Sequence, residues 1–504
     1  MHIHIVQLNP TTGDFIGNSQ KIEQACKRAQ AESVDLVLFP ELTLPGSLPE
    51  QFLEHSEFVE SQEQIYNRLR QMFPNLNVVL GIIDTWWIKT TQVHFAAMAT
   101  WGPDVGSYRV SDIRVVSFGT YRLAIVLQED NWYIESEEDF DGFAGTPLGQ
   151  VPKLECDAVL LFGNSIFHPG KTEQREAGLR IFCRRQGIPL IYCNQTGGHG
   201  SYLYEGSSLW IDDRGIIRYR TDPFEESTTT VSLFESNKTE PNPCWKYKQP
   251  CISIPHAIQR GIIDVFNKGA FEAMVFPIIG HPLSWYLASI LVEQMDTCML
   301  YFLDNEGYQC WSDIESIPSY IQNQEIQLLK PMPSTTRIRE SLSVSPISNL
   351  RCLFILPHTK TEVAFGVLET MQSQHCCFSP IGDLFLSEVL ELIERDVSRL
   401  VNWLKGDLIM QQIQQWAKDW ITRFGYAYGL DRLDSILEGY VQDGLDGEEL
   451  VEVGITSAEL DFILPQLHAA EWIRRQYAPI LVLSDATWGI ARRYPLVSHL
   501  RVSH

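Results

Sequence analysis

Basic side chains are scarce in this chain: 39 Lys and Arg face 63 Asp and Glu over 504 residues, a net charge of −24 with histidine neutral. Binding to phosphate backbones or anionic lipid normally needs clustered Lys and Arg, so nucleic acid and membrane surfaces are poor partners. The eleven cysteines include no CxxC pair. The opening MHIHIVQLNP has neither a basic segment nor a cleavable apolar one, so a reduced, cytoplasmic setting with free thiols is expected. Internal repeats and low-complexity tracts are missing. An uninterrupted apolar span is missing too: Ala273 to Val292 carries no formal charge, but Pro277, Gly280, His281 and Pro282 break it at its centre. Lipid could not satisfy the backbone groups freed there, so a buried strand, loop and helix are expected instead of a membrane span. What is present is the composition of a packed protein, 44% hydrophobic, 11% aromatic and 20% charged, with length for two or three domains.

Short apolar runs alternate with amphipathic stretches over the first 220 or so residues. His2 to Gln7, Val34 to Phe39, Val78 to Ile83, Leu123 to Leu127, Ala158 to Phe162 and Pro189 to Cys193 read as buried strands. Ile22, Ala25, Cys26 and Ala29, and later Gly178, Ile181 and Phe182, recur at helical spacing. This alternation predicts an α/β layered domain over residues 1–224. The polar stretch 225–253, with STTT and SNKTEPNP, follows neither period and reads as a linker. A second α/β unit, 254–504, opens with the helical AIQRGIIDVFNKGA and the strand AMVFPII. It continues with a strand at Leu350 to Leu356 and helices over Leu384 to Leu404 and Ile409 to Phe424.

Four segments of the first unit carry candidate chemistry. LVLFPELTLPG places Glu41 where a strand leaves its sheet, the usual position for sites in open α/β sheets. RLAIVLQEDNW places Gln128, Glu129 and Asp130 at another strand end. GNSIFHPGKTEQRE and YCNQTGGHGSYLYEGSS follow. In this order and spacing they resemble the glutamine-hydrolysing domain of the nitrilase superfamily, as found at the N-terminus of glutamine-dependent NAD synthetases. The resemblance implies a nitrilase-like αββα sandwich. It also implies a chemistry in which a thiolate attacks the glutamine amide, a Glu acts as base and a Lys steadies the oxyanion. Glu41 matches the base.

Three positions depart from that pattern. The nucleophile's segment aligns with Leu127 to Asp130, so Gln128 stands in place of the cysteine, and an amide cannot form the thioester. The lysine and its loop are missing, leaving Arg109 as the nearest basic candidate. The glutamine-binding segment reads His199, Gly200 and Ser201.

The second half continues the resemblance, to the Rossmann-like ATP-pyrophosphatase domain of the same synthetases, in which a glycine-rich loop cradles pyrophosphate. IGHPLS over residues 279–284 keeps Gly280 and Ser284. His281 replaces a glycine and Leu283 the metal-binding aspartate. HTKTEVAFG keeps Lys360, Glu362 and Gly366, and the resemblance makes Glu362 a magnesium ligand. Its companion aspartate falls near Ser373. SPIGDLFLSEV keeps Asp383 but has Leu386 for a lysine. Towards the C-terminus AAEWIRRQYAP and WGIARRYPL match the closing segments with Arg474, Arg475, Arg492 and Arg493; these arginines read equally as salt bridges or as substrate and subunit contacts. ATP and Mg²⁺ are thus implied by the family, while the substitutions argue against their use. The expected function is that of a degenerate family member acting by assembly, as a homo-oligomer or with an active synthetase, or by ligand binding. An active glutamine-dependent NAD synthetase and a non-catalytic nucleotide sensor are the alternatives.

Overall fold

The computed structural model describes residues 1–88, 91–127, 146–234, 253–277, 283–292, 299–303, 326–329, 350–367, 376–396 and 407–496. The chain divides into two compact units, Met1–Ser253 and Ile254–His504.

The first unit is built from β1 (His2–Gln7), α1 (Phe15–Ala31), β2 (Leu36–Leu38), α2 (Ser56–Met72), β3 (Val78–Ile88), β4 (Thr91–Trp101), β5 (Arg109–Val110), β6 (Ile113–Phe118), β7 (Tyr121–Leu127) and α3 (Pro147–Gln150). There follow β8 (Ala158–Gly163), α4 (Lys171–Gln186), β9 (Leu190–Asn194), the hairpin β10 (Thr196–His199) and β11 (Tyr202–Glu205), then β12 (Leu209–Ile211), β13 (Ile217–Arg220) and β14 (Ser227–Ser232). Two six-stranded sheets form, ordered β14-β1-β2-β3-β4-β5 and β13-β12-β9-β8-β7-β6. Each has a parallel centre, β1-β2-β3 in one and β7-β8-β9 in the other.

Alternation along the strands sorts side chains into layers. Ile3, Ile5, Leu36 and Leu38 meet Leu123, Ile125, Leu160 and Phe162 between the sheets. Val6, Val37 and Phe39 face the other way, against Ile22, Cys26 and Ala29 of α1 and Leu69 of α2. On the far side Val126, Leu161 and Tyr192 pack on Leu179, Phe182 and Cys183 of α4. The result is the expected αββα sandwich. The polar stretch 225–253 begins with a strand, however. Ser227–Ser232 pairs antiparallel with the whole of β1, from His2↔Ser232 to Gln7↔Ser227. As an edge strand it buries only Val231, so its sequence is polar and hides its period. Residues 235–252 lie outside the described set.

The second unit comprises α5 (Ile254–Lys268), β15 (Ala273–Pro277), α6 (Leu283–Val292), β16 (Met299–Leu303), β17 (Ile326–Leu329), β18 (Cys352–Ile355), α7 (Lys360–Ala364), β19 (Cys376–Phe378) and α8 (Leu386–Arg395). It closes with α9 (Asp407–Phe424), α10 (Leu430–Leu437), α11 (Gly447–Glu452), α12 (Ser457–Ala469) and α13 (Glu471–Arg474). Its sheet is parallel throughout, in the order β17-β16-β15-β18-β19. The first strand in sequence lies at the centre, as in a doubly wound, Rossmann-like arrangement. Among the described residues no helix is long and apolar enough to cross a membrane, and the cysteines described are all free thiols.

Candidate functional site

Glu41 leaves the end of β2 through Phe39 and Pro40, both buried, and is itself partly buried. The turn that carries it is fixed by Thr43 Oγ1 donating to the Pro40 carbonyl at 2.6 Å and by Leu44 N donating to Gly81 O at 3.1 Å. Leu42 sits at φ +54°. Gly81 on β3 lets this backbone approach, because a Cβ there would overlap the Pro40 oxygen and the Leu42 nitrogen. Glu41 is therefore presented by a rigid support.

The strand ends of the facing sheet converge on the same loop. Register sets Leu127 beside Phe162 and Gly163 beside Asn194, so Asn164 and Gln195 follow neighbouring strands. Gln195 Nε2 donates to both Ser47 Oγ and Asn164 Oδ1, and Ser47 Oγ donates to Asn164 Oδ1 at 3.3 Å. The loop after β2 is thus tied to β8 and β9 across the sandwich, and Gln195 Oε1 is buried with no partner among the described residues.

Below this network Arg175 of α4 is fully buried. Its Nη1 donates to Ser165 Oγ at 3.1 Å, its Nη2 pairs with Glu205 at 2.5 Å, and its guanidinium lies 4.7 Å from the Tyr192 ring. Glu205 and Ser47 were missed in the sequence. The available signal was Arg175 itself, since a buried guanidinium needs an acid. Gln128 lies outside the described residues, directly after Leu127. Arg109 is held on the helix-facing side of its sheet, its Nη2 donating to both carboxylate oxygens of Glu63 of α2 at 3.1 and 3.0 Å and its guanidinium lying 4.8 Å from the Tyr66 ring. Its charge is already balanced there.

In the second unit Gly280 and Ser373 lie outside the described residues. Leu283 and Ser284 begin α6, both fully buried. Lys360 and Asp383 are brought together. Their side chains are 0% exposed, with Nζ 3.2 Å from Oδ1. Lys360 also donates to Ser484 Oγ at 2.8 Å. Asp383 Oδ2 accepts from Leu483 N at 2.7 Å, Ser484 N at 2.6 Å and Thr487 Oγ1 at 2.6 Å. Glu362 Oε2 accepts from Thr359 N at 2.9 Å and Thr359 Oγ1 at 3.0 Å in a capping box. No group of three or more metal-ligating side chains occurs among the described residues. Among them, Asp383 is paired with Lys360 and one oxygen of Glu362 caps its helix.

Arg474 and Arg475 both turn to Glu471, at 3.0 and 2.5 Å. Arg474 is buried, donates to Ala364 O, and lies 4.5 Å from the Trp488 ring. Burial pulls its pKa below the usual arginine value against the opposing pull of Glu471. Of the two readings open for this pair, the structure displays salt bridges within the second unit.

Residues 3–112 match the carbon-nitrogen hydrolase family. Over 99% of both chains the protein is 23% identical to a glutamine-dependent NAD(+) synthetase of Thermotoga maritima. Over 98% of both it is 23% identical to one of a Synechocystis species. The first alignment spans 587 positions against this chain of 504 residues, so the relative carries segments that this chain lacks. Among solved structures, a glutamine-dependent NAD+ synthetase from Acinetobacter baumannii in complex with ADP superposes with a TM-score of 0.66 at 16% identity, covering 100% of this chain and 99% of its own. One from Cytophaga hutchinsonii gives 0.69 at 14%, covering 99% and 98%. These likenesses agree with the fold of the described residues in both units.

Proposed function

We propose that this chain, homologous over its full length to the glutamine-dependent NAD+ synthetases, is a catalytically silent member of that group, working through assembly or ligand binding. The reading rests on Gln128, which stands where the nucleophilic thiolate is required. A carboxamide has no free electron pair of thiolate strength and cannot be acylated and released as a thioester can. Two further features support it. Arg109, the nearest stand-in for the oxyanion-stabilising lysine, is already neutralised by Glu63, and Asp383 and Lys360 neutralise each other out of solvent. Fold and site are separate layers, and the first persists here without the second.

The test is an assay of the purified chain with nicotinic acid adenine dinucleotide, ATP and Mg²⁺, supplied in parallel with glutamine and with ammonia. No glutamate release and no AMP are expected. Glutamate release above the blank that Glu41→Ala abolishes would overturn the first half of the proposal. Magnesium-dependent AMP formation would overturn the second. Both together would establish an active synthetase, the second reading, which similarity running through both units favours. A nucleotide-induced rise in melting temperature without product would identify a sensor.

A further inference from the structure

Away from these residues, on the outer face of the first unit, α4 and the turn between β12 and β13 enclose a cleft of about 200 Å³. Gly215, at φ +76°, brings the turn onto the helix, since a Cβ there would overlap the Arg180 carbonyl. Arg180 Nε donates to Gly215 O at 3.1 Å, which fixes the direction of its guanidinium. The turn is stiffened by Asp212, whose Oδ1 accepts from Arg214 N at 3.0 Å and Ile216 N at 2.8 Å. Arg180 and Arg184 project from successive turns of α4, and Arg214 reaches in from the opposite wall. The apolar part of the wall is Ile181 and Ile216, and Ile216 is 42% exposed. No carboxylate lines the cleft among the described residues.

Three arginines line one small cavity on a chain whose net charge is −24. Arg184, in the last turn of α4, has an independent explanation in the negative helix end. That does not cover Arg214, which sits on the other element and whose guanidinium makes no hydrogen bond among the described residues, nor Arg180, six residues from the end of the helix. Planar multi-donor groups converging on a concave site match the tetrahedral oxygens of a phosphate. The volume exceeds a phosphate group, and the surplus is bounded by isoleucine. We infer that the cleft formed by Arg180, Arg184 and Arg214 binds a phosphate monoester with an apolar substituent resting on Ile181 and Ile216.

Calorimetric titration of the full chain tests this, with inorganic phosphate in one arm and phenyl phosphate in the other, chloride holding ionic strength constant. Saturable 1:1 binding is expected in both, tighter by about tenfold for phenyl phosphate because its ring covers apolar surface. Arg214→Gln and Arg180→Gln should each weaken both ligands by about tenfold, the size of one charge-assisted hydrogen bond. Arg214→Gln should keep the wild-type melting temperature in the absence of ligand. Saturable binding unchanged in both variants, or no saturable heat in either arm, overturns the site. Equal affinity for the two ligands overturns the assignment of an apolar substituent.

Discussion

Lys360 carries its charge in a fully buried setting. A lysine without solvent contact holds its charge only if compensated, and Asp383 with Ser484 provides that compensation. The same Asp383 collects two backbone N–H groups and a threonine hydroxyl from the segment 483–487, so the pair fastens the C-terminal segment to α7 and the start of α8. Lys360→Met should therefore cost about 3 kcal/mol, the lower end for breaking a buried pair, because the remaining donors still serve the carboxylate. Urea unfolding followed by fluorescence measures it, and a loss under about 1 kcal/mol would show that the pair behaves like a solvated one. This pairing was not legible in the sequence. Lys360 and Asp383 were visible as pattern matches, but the groups that occupy them come from residues about a hundred positions downstream, and only the tertiary fold brings these together. The place of Glu41 at a strand end was legible from LVLFPELTLPG alone, whereas the contact with Gly81 that fixes its turn was not.

An uninterrupted apolar run was the easiest element to read: β8, AVLLFG, starts at the expected residue, since a buried parallel strand needs apolar side chains on both faces. The edge strand Ser227–Ser232 was hidden because one of its six residues is buried. Short helices depended on their ends. α7 is five residues long, and its start is held by Glu362 and Thr359, so Glu362→Ala should lower stability by about 1 kcal/mol. Thermal melts with and without Mg²⁺ separate this from a metal role: the ion should leave both proteins unmoved, whereas a Mg²⁺-induced rise lost in the variant would return Glu362 to metal binding.

Between α7 and α8 lies Asp434 of α10, accepting from Thr361 Oγ1 at 2.6 Å and Ser387 N at 2.8 Å. Burial nevertheless pushes its pKa up to about 6. The folded state then binds more protons than the unfolded chain between about pH 4 and pH 6, so this group's contribution to stability falls as pH rises through that window and is flat above it. In Asp434→Asn the contribution is absent. The wild type should gain stability relative to the variant as pH drops from 6 to 4, and parallel curves across that range would refute the assignment.

At the scale of the whole molecule the question is what a chain of charge −24 docks against if its chemistry is gone. A subunit contact made by the C-terminal arginines needs an acidic surface opposite, such as the run Glu135, Glu137, Glu138, Asp139 and Asp141, which lies outside the described residues. The fold spends much of that basic charge internally: Arg474 and Arg475 on Glu471, Arg492 on the Gln442 carbonyl and Arg493 on that of Gly489. Assembly through this stretch would then rest on guanidinium edges left over at the surface, an attraction that sets orientation more than affinity and weakens with salt. We expect a mass above the monomer by light scattering at micromolar concentration and low salt, decreasing at high salt. Arg493 donates to a carbonyl at an exposed turn, so Arg493→Ala should lower the associated fraction without changing the melting temperature. Arg474→Ala should lower the melting temperature, because its pair with Glu471 is buried. A monomer mass in both buffers, with no synthetase co-purifying, would remove assembly and leave ligand binding as the remaining task.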